Sequence, residues 1–305
     1  MRIGAIDIGS NSTRLLLAEI KDGVIGEISR QSIVTRLGDG VDTSGALNGA
    51  AMERVFEAID EYSGEIVLAG CDRIGGVATS AVREAKNGKE FADEIGKRFG
   101  IDIAVIGGDR EAELTFAGAS SGEALDGVGR SMVVDIGGGS TEFIVGAEGE
   151  LLFHESTKLG AVRQSERWLP TDPPLKNEIQ ALIDEAETII VDAVPIEFRR
   201  DIARGIGVAG TPTVLAAVDQ ALDPFDPWKV HGYAITIDAA ERMLEQLAAL
   251  PLAERRTVIG LHPDRAPTIV AGAAILLSTM RVFGLGEVTV SEHDILYGVA
   301  LNLAA

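Results

Sequence analysis

Residues 5–17 read AIDIGSNSTRLLL and residues 133–145 read VVDIGGGSTEFIV. The two stretches align without a gap, and their shared Asp, Ile, Gly, Ser and Thr lie a constant 128 positions apart. Each reads as an apolar strand, a glycine-containing polar turn and a second apolar strand. One Asp-x-Gly turn between strands is an ordinary hairpin feature. Two copies that open two halves of similar size point to an internal duplication.

The elements around these stretches repeat in the same way. Val- and Ile-rich segments at Ile3–Asp7, Leu15–Ile20, Val24–Thr35, Arg73–Thr79 and Ile101–Ile106 read as strands, with helices at Gly49–Tyr62 and Lys89–Phe99. A second set follows, with strands Met132–Ile136, Phe143–Gly146 and Leu151–Ser156, helix Lys176–Asp192 and strand Ala203–Val208. Strands alternating with helical patterns predict an α/β protein. The Gly- and Ser-rich stretch from Gly118 to Gly129 separates the halves, giving expected domains of 1–124 and 125–305.

Composition narrows the partners. The 305 residues carry 27 basic and 47 acidic side chains, a net charge of −20. Such a chain repels a phosphate polymer at long range, which argues against nucleic-acid binding through a broad basic face. An anionic ligand needs local arginines or a metal ion. The single cysteine, Cys71, excludes an intramolecular disulfide framework and a multi-Cys zinc cluster. Asp7 interrupts the N-terminal apolar run, and the later run Ile269–Leu277 is too short to span a bilayer, so the expected location is the cytoplasm, away from membranes. The apolar helix Thr268–Met280 could serve a homodimer as well as a core. The four histidines show no metal-ligand spacing.

Each duplicated turn places a carboxylate at the end of a strand, followed by small residues. At Gly9, Ser10, Asn11 and at Gly137, Gly138, Gly139, absent or short side chains let backbone N–H groups approach an anion closely. Two such nests facing each other would hold a phosphate from both sides. Asp7 and Asp135 cannot bind phosphate themselves; they suit Mg²⁺, held directly or through water. The same aspartates would also serve simply to cap turns. A third segment, GIGVAGTPTVLAAV from Gly205 to Val218, contains GxGxxG but lacks the following strand and acidic ribose ligand of a dinucleotide fold. Thr211 as N-cap and Pro212 as first helical residue would instead open a helix, whose N-terminus suits a phosphate or nucleotide.

These three segments resemble the phosphate 1, phosphate 2 and adenosine motifs of the actin, sugar kinase and Hsp70 superfamily. More narrowly, DIGSNSTRLL from Asp7, ATSAVREAKNG from Ala78, EAELTF from Glu111, DIGGGSTEF from Asp135, LGAVR from Leu159 and DRAPTIVAGAAIL from Asp264 resemble the exopolyphosphatase and guanosine pentaphosphate phosphohydrolase (Ppx/GppA) family, in that family's order. The resemblance implies two ribonuclease H-like, actin-like ATPase domains with a cleft between them.

By this resemblance Glu111 is the general base that activates the attacking water, although an acidic residue in the first turn of a helix is also favoured by the helix dipole. Glu142 is placed toward the metal or the water, with Arg14 as its counterpart in the first loop; both could equally be solvated strand residues. Arg83 and Arg163 are expected to neutralise phosphates by bidentate contacts. Arg265 is a weaker candidate, since HPDRAP could simply open a helix. Ser12, Ser140, Gly210 and Thr211 complete the expected substrate contacts. The implied activity is Mg²⁺-dependent release of terminal phosphate from inorganic polyphosphate or guanosine pentaphosphate. Two other readings are a small-molecule kinase of the same superfamily and a non-catalytic sensor of guanosine tetra- or pentaphosphate. The chain departs from the family pattern at Glu113, where an Arg is usual, and ends at Ala305 without the helical extension of longer members, which favours short polyphosphate.

Overall fold

The computed structural model describes residues 1–21, 24–121, 129–147 and 150–305. The duplication is visible in its sheets. In the first, β1 (Arg2–Ile8), β2 (Ser12–Lys21) and β3 (Val24–Val34) form an antiparallel meander, and β4 (Arg73–Ala78) and β5 (Ile103–Val105) add in parallel beside β1, giving the order β3-β2-β1-β4-β5. The second contains β6 (Arg130–Ile136), β7 (Thr141–Ala147), β8 (Glu150–Thr157), β9 (Ile202–Val208), β10 (Ala234–Thr236) and β11 (Glu287–Val290) in the order β10-β11-β9-β6-β7-β8. Without the edge strand β10, the second order repeats the first.

Chain connectivity follows from the pairing. A parallel neighbour requires a long crossover, and the helices Gly49–Ala69 and Lys176–Ala193 supply it between β3 and β4 and between β8 and β9. This is the ribonuclease H-like arrangement that the resemblance implied, built twice. The first crossover helix continues beyond the expected Tyr62, through Gly64, and stops at Gly70, whose left-handed conformation (φ 63°) closes it. The strand expected over Ile101–Ile106 is shorter, Ile103–Val105.

Two compact units result, Met1–Gly122 with His293–Ala305, and Glu123–Glu292. The boundary expected at 124/125 lies outside the described residues. The division differs from the sequence reading at the chain's end, because the last helix, Ile295–Ala304, belongs with the first sheet. The reason is apolar pairing. Ile6 and Ile8 of β1 join one buried cluster beneath the Gly49–Ala69 helix, while Ile3 and Ala5 pack with Leu16, Ile295, Leu296, Val299 and Ala300 in another. Without the terminal helix, one face of β1 would be uncovered.

In the second unit, the helix Ile269–Phe283 is buried along almost its whole length and forms the centre of the core. It therefore serves the core and presents no apolar face for a second copy of the chain. Among the described residues no helix is long and apolar enough to cross a membrane.

One helix crossing in the first unit depends on glycine. The helix Gly108–Ser120 crosses Ile295–Ala304 so closely that a Cβ on Gly118 would lie 1.9 Å from the carbonyl oxygen of Asp294, and one on Gly298 would lie 1.9 Å from that of Leu114. Backbone cannot give way as a flexible side chain can. Gly298→Ala should therefore cost about 1–3 kcal/mol of stability through overpacking, measured by urea denaturation, whereas Gly49→Ala, with open space around it, should cost nothing.

Candidate active site

Both duplicated turns close with the same bond: Gly9 N–H donates to the Ser12 carbonyl and Gly137 N–H to the Ser140 carbonyl, each at 3.0 Å. The cross-strand register also matches, with Asp7 opposite Arg14 and Asp135 opposite Glu142. The carbonyls of both turns have donors. In the first, the Ser10 oxygen accepts from Gly38 N–H at 2.8 Å, and the Asn11 oxygen accepts from Thr35 and Arg36 at 3.0 and 2.9 Å. In the second, the Gly137 oxygen accepts from Ala161 at 2.9 Å, the Gly138 oxygen from Val162 at 2.9 Å, and the Gly139 oxygen from Arg163 Nε at 3.1 Å. With the carbonyls committed to one side, the N–H groups are left for a ligand. Among the described residues, Ser10, Asn11, Gly138 and Gly139 use none of theirs in main-chain hydrogen bonds.

The docking segments are themselves a second duplicated motif. Thr35–Gly38 reads TRLG and Thr157–Gly160 reads TKLG, 122 positions apart. Leu37 and Leu159 are fully buried, anchoring each segment. The Thr13 and Thr35 hydroxyls share a hydrogen bond at 3.1 Å, and the Thr157 hydroxyl donates to the Thr141 carbonyl at 3.0 Å. The sequence reading singled out LGAVR but not this repeat; comparing the residues after the third strand of each half would have found it.

In the first unit the other candidate residues form a chain of contacts. The Ser10 and Ser80 hydroxyls are 2.9 Å apart, which ties the first loop to the short helix Ser80–Glu84 that carries Arg83. Arg83 Nη1 donates to Glu111 Oε2 at 2.9 Å and to the Ile106 carbonyl at 3.0 Å. Glu111, in the first turn of its helix, therefore has a cation beside it. Glu113, in the position where the family has Arg, is exposed and pairs with Arg110 at 2.7 Å.

Arg14, a candidate substrate contact, donates from Nε and Nη2 to Asp7 Oδ2 at 2.9 and 2.6 Å and from Nη1 to Asp294. Asp294 went unnoticed in the sequence, although an Asp before the apolar run ILYGVALNLA is an N-cap signal. Burial raises the Asp7 carboxyl above its ordinary pKa, with Arg14 opposing the shift. The other oxygen, Asp7 Oδ1, is buried without a hydrogen-bond partner among the described residues.

In the second unit, Glu142 is buried and accepts from the Ser156 hydroxyl at 2.7 Å. Asp135 and Glu142 thus put two carboxylates side by side where the first unit has a carboxylate and a guanidinium. The third segment also differs from the expected helix start. The helix is Gly210–Asp219 with Ala209, at φ 66°, as its N-cap. Thr211 is buried, and its hydroxyl donates to the Ile136 carbonyl at 3.2 Å, fastening this helix to the strand that ends in the second loop. Gly205 and Gly207 lie in β9 as packing glycines; a Cβ on Gly207 would meet Pro212 at 2.9 Å. Arg265 lies over Gly210, where a Cβ would come 2.7 Å from its guanidinium.

The docking geometry yields a test. A Cβ on Gly160 would sit 2.3 Å from the Gly138 carbonyl oxygen, whereas one on Gly139 meets nothing. Gly160→Ala should displace the second loop and weaken pyrophosphate binding, by calorimetry, roughly tenfold or more, equivalent to about 1.4 kcal/mol. Gly139→Ala should be the milder change.

Comparison with known proteins places the chain. The model of the Ppx/GppA phosphatase family matches residues 16–304. Exopolyphosphatase 2 of Mycobacterium tuberculosis is 35% identical, with 99% of this chain and 98% of that protein covered. Exopolyphosphatase 1 of Mycobacterium leprae is 29% identical, covering 99% and 89%. Among solved structures, the Aquifex aeolicus Ppx/GppA family member superposes with a TM-score of 0.87 at 31% identity, covering 99% of this chain and 97% of that one. An exopolyphosphatase from Cytophaga hutchinsonii gives a TM-score of 0.88 at 27% identity, covering 98% and 96%. On the full-length match and the shared fold, the chain belongs to the Ppx/GppA phosphatase family.

Proposed function

We propose that this phosphoanhydride hydrolase removes the terminal phosphate of inorganic polyphosphate, short chains included, and of guanosine pentaphosphate, in the cytoplasm and with Mg²⁺. The observation that carries the reading is the pair of turns whose carbonyls are bonded away from their free N–H groups. Backbone donors held in this way cost no reorganisation when charge develops on a phosphoryl oxygen. Phosphoryl transfer asks mainly for positioning and charge stabilisation. Backbone N–H groups of Ser10, Asn11, Gly138 and Gly139 hold phosphate oxygens, and Arg163, anchored on the Gly139 carbonyl, neutralises them. Gly210, Thr211 and Arg265 complete the substrate contacts.

Glu111 takes the proton of the attacking water. Arg83, bonded to its Oε2, holds the carboxylate in one orientation. The residues present suit a divalent cation. Asp135 and Glu142 stand side by side, and Asp7 has a buried oxygen without a partner. Mg²⁺ is usually bound through one or two carboxylates plus substrate phosphates, and these residues can supply the carboxylates. When bound, Mg²⁺ supplies charge neutralisation at the phosphate oxygens.

A kinase of the same fold would need an acceptor, and a sensor would bind without turnover. A phosphate-release assay over polyphosphates of several lengths, guanosine pentaphosphate and ATP, with and without Mg²⁺, separates these readings. Short polyphosphate should be turned over at least as efficiently as long polymer, because the net charge of −20 opposes every phosphate beyond the site. Efficiency rising steeply from tens to hundreds of phosphates would contradict this.

Glu111→Gln should lower turnover by roughly 10²- to 10⁴-fold, the usual contribution of a positioned base. The amide can still accept from Arg83, so substrate affinity should change little. Turnover above about a tenth of wild type at saturating substrate would be too small a loss for a base, and would move water activation to Glu142.

A further inference from the structure

Asp294 lies where two parts of the first unit meet. Its Oδ1 accepts from Leu296 N–H at 3.0 Å, capping the terminal helix. Its Oδ2 accepts from Arg14 Nη1. Its carbonyl oxygen abuts Gly118, near the far end of the helix Gly108–Ser120, which carries Glu111 in its first turn. The residue is buried, and so is Asp7 at the other end of Arg14. The guanidinium therefore bridges two buried carboxylates, one from β1 and one from a segment 287 positions later in the chain (294 − 7).

We infer that Asp294 is a positioning residue, acting through Arg14 on Asp7. Resting on the hydrolase reading above, this gives Arg14 a part in supporting the first loop. The fork of Arg14 engages Asp7 through Oδ2, so holding the other end of the fork fixes the carboxylate's rotation and leaves Oδ1 in place. A fixed Oδ1 favours a divalent cation beside it.

Asp294→Asn is the informative variant. Asn caps a helix about as well as Asp, so the fold should survive, checked by thermal melting; the charge opposite Arg14 is lost. Two readouts apply, turnover of tripolyphosphate and Mn²⁺ affinity by electron paramagnetic resonance. Asp294→Asn should weaken Mn²⁺ binding roughly tenfold or more through the lost buried charge, and lower turnover with little change in KM for tripolyphosphate at saturating Mg²⁺. In an Arg14→Met background the same substitution should have almost no effect on Mn²⁺, because the link is already broken. A full-sized effect in that background, or wild-type Mn²⁺ affinity in Asp294→Asn alone, would overturn the assignment. Wild-type protein releasing no phosphate from tripolyphosphate would instead overturn the hydrolase reading, and the Mn²⁺ comparison would still decide the role of Asp294.

Discussion

A backbone anion site has a requirement on its far side: carbonyl oxygens must find donors if the N–H groups are to stay free. In this protein both duplicated loops meet that requirement by the same device. The segment that leaves the third strand of each half donates its own N–H groups to the loop's carbonyls. Buried polar groups without partners are costly, so these bonds fix which way each loop faces. Much else in the local sequence supports this docking. Leu37 and Leu159 are buried to hold the segments down, and Gly160 is glycine because the Gly138 carbonyl leaves no room for a side chain.

The two halves then diverge from a common plan. Opposite the strand-end aspartate, the first half has Arg14 and the second has Glu142. One change of residue type turns a self-neutralising pair into a pair of adjacent carboxylates. The first half adds Asp294 from the end of the chain, so its aspartate is embedded in an ion network. The second half adds a hydroxyl, from Ser156. Duplication supplied two equivalent loops, and substitution at a single register position gave them different electrostatic roles.

Much of this was legible from the chain alone. The gapless repeat around Asp7 and Asp135 led to two copies of one fold, and the sheet orders agree with it. The family motifs led to Ppx/GppA, and the comparisons agree. What escaped the reading was long-range. Arg14 carries no mark of its partner because Asp294 lies 280 residues away, and the terminal helix returns to the first sheet because of apolar complementarity that no local pattern encodes. Thr211 looked like a helix cap from its neighbours Gly210 and Pro212, yet the Ile136 carbonyl, distant in sequence, claims its hydroxyl. Local signals reveal turns and periodicity, but which buried polar group meets which is settled by tertiary packing.

The central claim is that water, activated at Glu111, attacks the terminal phosphorus of a bound phosphate chain. Hydrolysis of tripolyphosphate in ¹⁸O-labelled water, with the products resolved by mass spectrometry, tests it most directly. Attack at the terminal phosphorus places one ¹⁸O in each orthophosphate released and leaves the shortened chain unlabelled. Label found in the remaining chain, or phosphate passing to an added acceptor without ¹⁸O, would contradict the account.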